Sequence, residues 1–184
     1  MANNCYNSIE IIGTPENIQT LKEIFNTEHF DLIGTGEYLF NFKTKDAYED
    51  FGTRWFDIGY TDIGENSMIV SGDSAWSPPD MFFLKLSKKY NLEIILEYEE
   101  AGCGIGGTHR YSNGEITEQY DTTYQMFKYK EDGIYDLINN YFDDADEYDT
   151  FEEWKEQTID KEVIEVLTEE ENKELEKAFN ESKK

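Results

Sequence analysis

Positive charge is what this chain most lacks. Its 184 residues include 16 Lys and Arg against 41 Asp and Glu, a formal charge of −25. Nucleic-acid binders gain most of their affinity by neutralising phosphates with Lys and Arg, so the shortage argues against direct binding to a phosphate backbone and for a basic protein surface as partner. Cysteine is also scarce. Cys5 and Cys103 are too few for a disulfide framework, and in a reducing compartment both read as buried structural thiols. Cys103 with His109 lacks the paired Cys or His spacing of structural zinc sites. No apolar run approaches the ~20 residues needed to cross a bilayer, and Met1-Ala2-Asn3-Asn4 lacks the charged and apolar regions of a signal peptide. These absences lead to the expectation of a soluble, cytoplasmic protein with no membrane partner. There is no Gly/Ser linker and no internal repeat.

What is present argues for a folded chain. Aromatic residues reach 15%, with thirteen Tyr and twelve Phe, far from the aromatic-poor composition of a disordered acidic protein. The acids are unevenly spread: residues 131–184 hold 20 acids and 6 bases, residues 1–130 hold 21 and 10. The excess thus concentrates toward the C-terminus, and the chain divides into an α+β domain over 1–130 and an acidic helical extension over 131–184.

Local patterns predict the elements of the first part. Cys5 to Ile12, rich in Ile and bounded by Gly13, reads as a strand. Thr14-Pro15 opens a helix to about residue 26, with Ile18, Leu21, Ile24 and Phe25 on one face. Glu37 to Phe42 suggests a strand and Thr44 to Phe51 a short helix. Thr53 to Tyr60 and Ser67 to Gly72 read as strands joined by a turn. Ser77-Pro78-Pro79-Asp80 resembles a helix start with Ser77 as N-cap, and the helix should run to Tyr90. Leu92 to Glu99 alternates apolar and acidic residues, as a half-buried strand does. Asn113-Gly114 marks a hairpin within residues 105–125. With residues 27–50 left open, the order from residue 5 to residue 99 is β-α, then β-β-α-β, the ferredoxin-like split βαβ plan, with the hairpin extending its antiparallel sheet. Beyond it, Ile134 to Tyr141 reads as a helix. Thr150 with Glu153 and Thr168 with Glu171 form capping boxes for two more.

Several short segments together resemble a known family. Met1-Ala2-Asn3 with Cys5 and Asn7, Gly52-Thr53-Arg54-Trp55, Ala75-Trp76-Ser77-Pro78-Pro79, and Tyr98-Glu99-Glu100 with Gly102 and Gly107 are similar to the YubB-like proteins of phages and plasmids. The resemblance covers roughly residues 1–125, leaves the acidic tail unmatched, and departs from the pattern at Asn4, where Trp is expected. It implies a ferredoxin-like domain in a mobile-element accessory protein of largely unassigned activity, and hence a host-cell cytoplasmic setting.

Four constellations could carry chemistry. Gly102 to Gly107 matches G-x-G-x-x-G, but a dinucleotide fingerprint needs a helix directly after the glycines, and here a hairpin turn follows, so the segment reads as a bent strand entry. Glu93, Glu97 and Glu99 project from one face of a strand, with Glu100 beyond and His109 on the next strand. Carboxylates so grouped could hold Mg²⁺ or Mn²⁺ and activate water for phosphodiester cleavage, although a strand with one apolar face also needs a polar outer one. Trp55, Trp76 and Tyr98 read as packing residues, the rival being a base-stacking platform. The tail carries Asp143, Asp144, Asp146, Glu147, Asp149, Glu152, Glu153 and Glu156. On a helix these could form a ladder comparable in density to DNA phosphates, ~1.5 Å of rise per residue against a charge each ~1.7 Å of duplex, with Phe151 and Trp154 as interface anchors.

The leading expectation is therefore an accessory protein without cofactor that binds a basic, nucleic-acid-binding host effector nuclease and inhibits it by nucleic-acid mimicry, of the anti-CRISPR or anti-restriction type. Its contact residues would be Asp143, Asp144, Asp146, Glu147, Asp149, Glu152, Glu153, Trp154 and Glu156. The enzymatic alternative is a ribonuclease using Mg²⁺ or Mn²⁺, with Glu97, Glu99 and Glu100 as ligands and His109 as acid or base, trimming RNA presented by a partner. A third reading is a non-catalytic scaffold of a mobile element.

Overall fold

The structure is a computed structural model that describes residues 3–25, 46–142 and 145–183. The strand expected over 37–42 lies outside those residues. The chain forms two compact units, Met1–Asp121 and Thr122–Lys184.

In the first unit the elements are β1 (Asn4–Ile12), α1 (Pro15–Phe25), α2 (Ala47–Phe51), β2 (Phe56–Ile63), β3 (Ser67–Ala75), α3 (Asp80–Tyr90), β4 (Glu93–Glu100), β5 (Ile105–Ser112) and β6 (Glu115–Thr123), the last reaching the boundary between the units. The strands form one sheet in the order β2-β3-β1-β4-β5-β6. β1 pairs antiparallel with both β3 and β4, so the first four strands reproduce the ferredoxin-like order, and the β5-β6 hairpin extends the β4 edge. The hairpin turn is the expected one: Asn113 and Gly114 both have positive φ, 50° and 82°, as a two-residue turn between right-twisted strands requires.

Alternation along the strands separates the two faces of the sheet. Ile9 and Ile11 on β1, Met68 and Val70 on β3, and Ile94 and Leu96 on β4 pack with Ile18 and Leu21 of α1 and with Phe82, Phe83 and Leu86 of α3 into the core. Beside it, buried Asn7 donates from Nδ2 to the Cys5 carbonyl at 2.8 Å and to Ser74 Oγ at 2.9 Å, so the polar group is satisfied where it is buried. α3 starts two residues later than its sequence suggests. Its N-cap is Pro79, without a side-chain cap, and Ser77 Oγ instead donates to the Gly52 carbonyl at 2.7 Å, tying the loop after α2 to the entry of α3.

The second unit contains α4 (Tyr124–Asp132), α5 (Ile134–Asn140), a 3-10 turn at Ala145–Glu147, α6 (Phe151–Thr158), α7 (Lys161–Val166) and α8 (Glu169–Ser182). The division expected at 130/131 thus falls at 121/122, because α4 contributes Met126 to the helical core. α4 and α7 are additions to the helices read from sequence. Thr168 and Glu171 form a complete capping box. At α6 only half of one exists: Thr150 Oγ1 accepts from the Glu153 amide at 3.2 Å, while the Glu153 carboxylate accepts from the Asp149 amide at 3.3 Å.

The helical unit has a core of its own, centred on Trp154, which is fully buried. Phe142 stacks on its ring at 4.4 Å between centroids, Phe151 and Phe179 flank it, and its Nε1 donates to the Tyr141 carbonyl at 3.1 Å. Phe151 and Trp154 are therefore core residues and not interface anchors. The hydrophobic effect claims the few large apolar side chains of this segment before any partner can.

Candidate functional site

A connected group of titratable side chains lies on the helix-covered face of the sheet. β5 carries His109 and Tyr111 inward, β4 supplies Tyr98, β6 supplies Asp121, and Asp80 sits in the first turn of α3, where the helix dipole favours an anion. His109 is 4% exposed. Its Nδ1 lies 2.7 Å from Asp80 Oδ1 and its Nε2 lies 2.6 Å from Asp121 Oδ1. Tyr111 donates its hydroxyl to Asp80, and Tyr98 donates to Asp121 Oδ1 at 2.7 Å. Gln119 reaches Asp121 Oδ2 at 2.7 Å.

This geometry sets the charge state. A neutral imidazole donates from one nitrogen only, so a ring placed between two carboxylates satisfies both contacts only as the imidazolium. Burial works against that charge, but the hydrogen bonds and negative charges of Asp80 and Asp121 outweigh it and raise the pKa of His109. Burial likewise disfavours ionised Asp121, yet the donors Tyr98, His109 and Gln119 prevail and lower its pKa. Burial, with Asp121 beside Tyr98 and Asp80 beside Tyr111, raises both phenols. Gly107 makes room for the arrangement: a Cβ there would collide with the Tyr120 carbonyl and lie 2.9 Å from Tyr98 Cε1.

With both nitrogens engaged, His109 offers no lone pair for proton abstraction or metal binding. The ribonuclease site expected from sequence is not assembled. Glu97 and Glu99 leave β4 on the open face of the sheet, whereas Glu100, 1% exposed, and His109 lie on the helix side. Residues one apart on a strand point oppositely, and the Glu100 carboxylate is occupied by the amides of Gly102 and Cys103 in the turn to β5. Among the described residues no group of three or more His, Cys, Asp or Glu could hold a metal ion. The glycine-rich segment leads into β5 rather than a helix, so no dinucleotide loop forms. Tyr98 faces the buried centre, while Trp76 is exposed just beyond β3 at φ 70°, so a shared stacking platform with Trp55 is not formed. Cys5 is buried, and burial pushes its thiol up to about 12. Cys103 is exposed, contrary to expectation.

Two surfaces carry the acid excess. On the open face of the sheet, strand register aligns Glu10, Asp57, Asp62, Asp73, Glu93, Glu97 and Glu99, with Arg110 as the one cation contributed by these paired strands. Asp57 stands directly opposite Asp73, a like-charge pairing that destabilises a sheet. In the helical unit Asp146, Glu147, Asp149, Glu152, Glu153 and Glu156 are exposed, and Asp143 and Asp144 lie outside the described residues. These acids do not form one continuous ladder. They are divided between the 3-10 turn, a loop and the eight-residue α6, and Glu152 pairs with Lys155 at 2.8 Å. Among the described residues the longest acidic helix is α8, whose exposed Glu169, Glu170, Glu174, Glu176 and Glu181 the sequence reading passed over. Their spacing and the Thr168 cap were the signals available. No helix among the described residues is long and apolar enough to cross a membrane.

No curated protein matches this chain. Among solved structures it is similar to the crystal structure of protein api92 from Yersinia pseudotuberculosis, at 24% identity and a TM-score of 0.36, over 41% of this chain and 28% of that one. The chain thus spans under a third of that protein's length. The similarity to YubB-like proteins noted in the sequence stays a resemblance. Residues 37–141 match the family described as the ferredoxin-like domain in Api92-like protein, and the chain belongs to that family.

Proposed function

We propose that the chain is an acidic binding protein that occupies the nucleic-acid groove of a basic host protein, a defence nuclease such as a CRISPR effector or a restriction enzyme. The observation that supports this reading is the way charge is divided. Residues 1–121 hold 21 acids and 8 bases, and residues 122–184 hold 20 and 8. Both units close an apolar core of their own, and both place acids on the exterior, where net charge of one sign opposes compaction and attracts a surface of the other sign. A groove lined with Lys and Arg for phosphates meets such a surface with complementary potential, which speeds association and makes it sensitive to salt.

The test is inhibition of DNA or RNA cleavage by purified effectors of these two classes, at about 50 and about 200 mM salt, the range over which phosphate-like contacts weaken steeply. Inhibition that competes with nucleic acid and drops at least tenfold at the higher salt supports the proposal. Cleavage untouched at saturating protein and low salt rejects it.

A further inference from the structure

On the open face of the sheet, Ser8, Glu10, Ile69, Ile95, Glu97 and Arg110 line a shallow depression of about 380 Å³. It arises because Ser8 on β1 is paired with Ser71 on β3, so short side chains sit beside the longer ones of the next register row, Ile69, Glu10 and Ile95. Ile69 is 42% exposed and Tyr6, on the same face, 48%. Arg110 turns to Glu118, with Nε 2.9 Å from Oε2, rather than to Glu10 or Glu97. The strands contribute no lysine to this face, and Asp57 and Asp73 are held opposite each other at its far side.

We infer that this depression seats a lysine or arginine side chain presented by a partner protein, with the alkyl stem on Ile69 and Ile95 and the cationic head between Glu10 and Glu97. The inference rests on the proposed binding to a basic protein and adds the place of contact. A long cationic side chain is the chemistry that satisfies both features at once, because its methylenes cover apolar surface while its head stays among charges. Glu10 and Glu97 are diagonal neighbours across β1 and β4, with Cβ atoms up to about 7–8 Å apart, which suits a guanidinium or ammonium reaching between them better than one shared metal ion. A phosphate backbone is repelled by the same carboxylates.

The experiment is an NMR titration of the ¹⁵N-labelled full chain with two probes, an octa-arginine peptide and an oligouridine of equal length. The expected result is saturable movement of the Ser8, Glu10, Ile69, Ile95 and Glu97 amides with the peptide alone. The double variant Glu10→Gln with Glu97→Gln should bind at least tenfold more weakly, and Ile69→Ser, which keeps every charge, about threefold more weakly. All three substitutions are outside the core. Peptide-induced shifts confined to the helical unit, or affinity unchanged in the double variant, would overturn the depression as the seat while leaving an acidic binding protein in place. Unchanged affinity in Ile69→Ser would overturn the role given to the alkyl stem. Binding of oligouridine instead of the peptide would overturn both the site and the wider proposal.

Discussion

Asp121, near the end of β6, accepts a hydrogen bond from Nε2 of His109 on β5 at 2.6 Å, and this contact makes the outermost hairpin of the sheet depend on a buried positive charge. The other ring nitrogen holds Asp80 at the start of α3, so one imidazolium ties a helix and two strands together.

The first expected outcome is a pH dependence on the alkaline side. The pKa of His109 is raised in the folded state, so its stabilisation is complete below the unfolded value of about 6.5 and is lost as pH rises through the folded value. Denaturant midpoints of the full chain should fall as pH rises above about 6.5. Asp121→Asn should bring the His109 pKa down in an NMR titration and remove a charge-assisted hydrogen bond worth about 1–3 kcal/mol, nearer the lower figure because Asp121 is half exposed. An unchanged histidine titration would refute the imidazolium assignment.

Gly107→Ala should loosen the same centre without removing any titratable group. Its methyl would meet the Tyr120 carbonyl and the Tyr98 ring, an overpacking that costs about 1–3 kcal/mol. Faster amide exchange in β6 together with a lowered His109 pKa is the expected signature.

In the helical unit, Trp154→Ala should cost about 3–5 kcal/mol, the usual penalty for deleting a buried aromatic side chain. Loss of helical signal at lower denaturant is the measurement. If the variant kept full stability and lost only partner binding, Trp154 would be an interface residue after all.

Asp136 is the reverse case. Its Oδ2 is buried without a hydrogen-bond partner, and burial raises its pKa despite a hydrogen bond from Asn140 and the charge of Lys128. A raised carboxyl pKa means that stability is greatest when the group is protonated, and is lost as pH rises from about 3.9 through the folded value. At neutral pH, Asp136→Asn should therefore stabilise the helical unit by about 1 kcal/mol, readable as a higher denaturation midpoint.

The two acidic surfaces can be compared directly. Neutralising the exposed acids from Asp146 to Glu156 and, separately, Glu10 with Glu97 should each weaken inhibition of a sensitive nuclease, with the loss shrinking as salt rises. Equal potency of both variants and the unaltered chain at low salt would remove electrostatics as the source of binding.

Much of the first unit was legible in the chain. Alternation in Leu92 to Glu99, the helical spacing of Phe82, Phe83 and Leu86, and Asn113-Gly114 are local signals whose physics acts within a few residues, and the strands, helix and turn stand where those signals place them. The entry of α3 was misread by two residues because the Ser77 hydroxyl finds a distant partner, the Gly52 carbonyl, instead of a cap. The expected cluster of Glu97, Glu99, Glu100 and His109 came from adjacency in sequence, but the pleat sends Glu100 and His109 to the opposite side from the other two.

By itself the sequence determined the net charge, the opening strand and helix, the β-β-α-β run from β2 to β4 and the periodicity that separates a core face from an open one, since each depends only on residue type and near neighbours. Only the tertiary structure decided that His109 is locked between Asp80 and Asp121, that Trp154 belongs to a core, and which carboxylates share a surface. Those outcomes depend on strand register and helix packing, which bring together residues tens of positions apart, and no local pattern contains that distance.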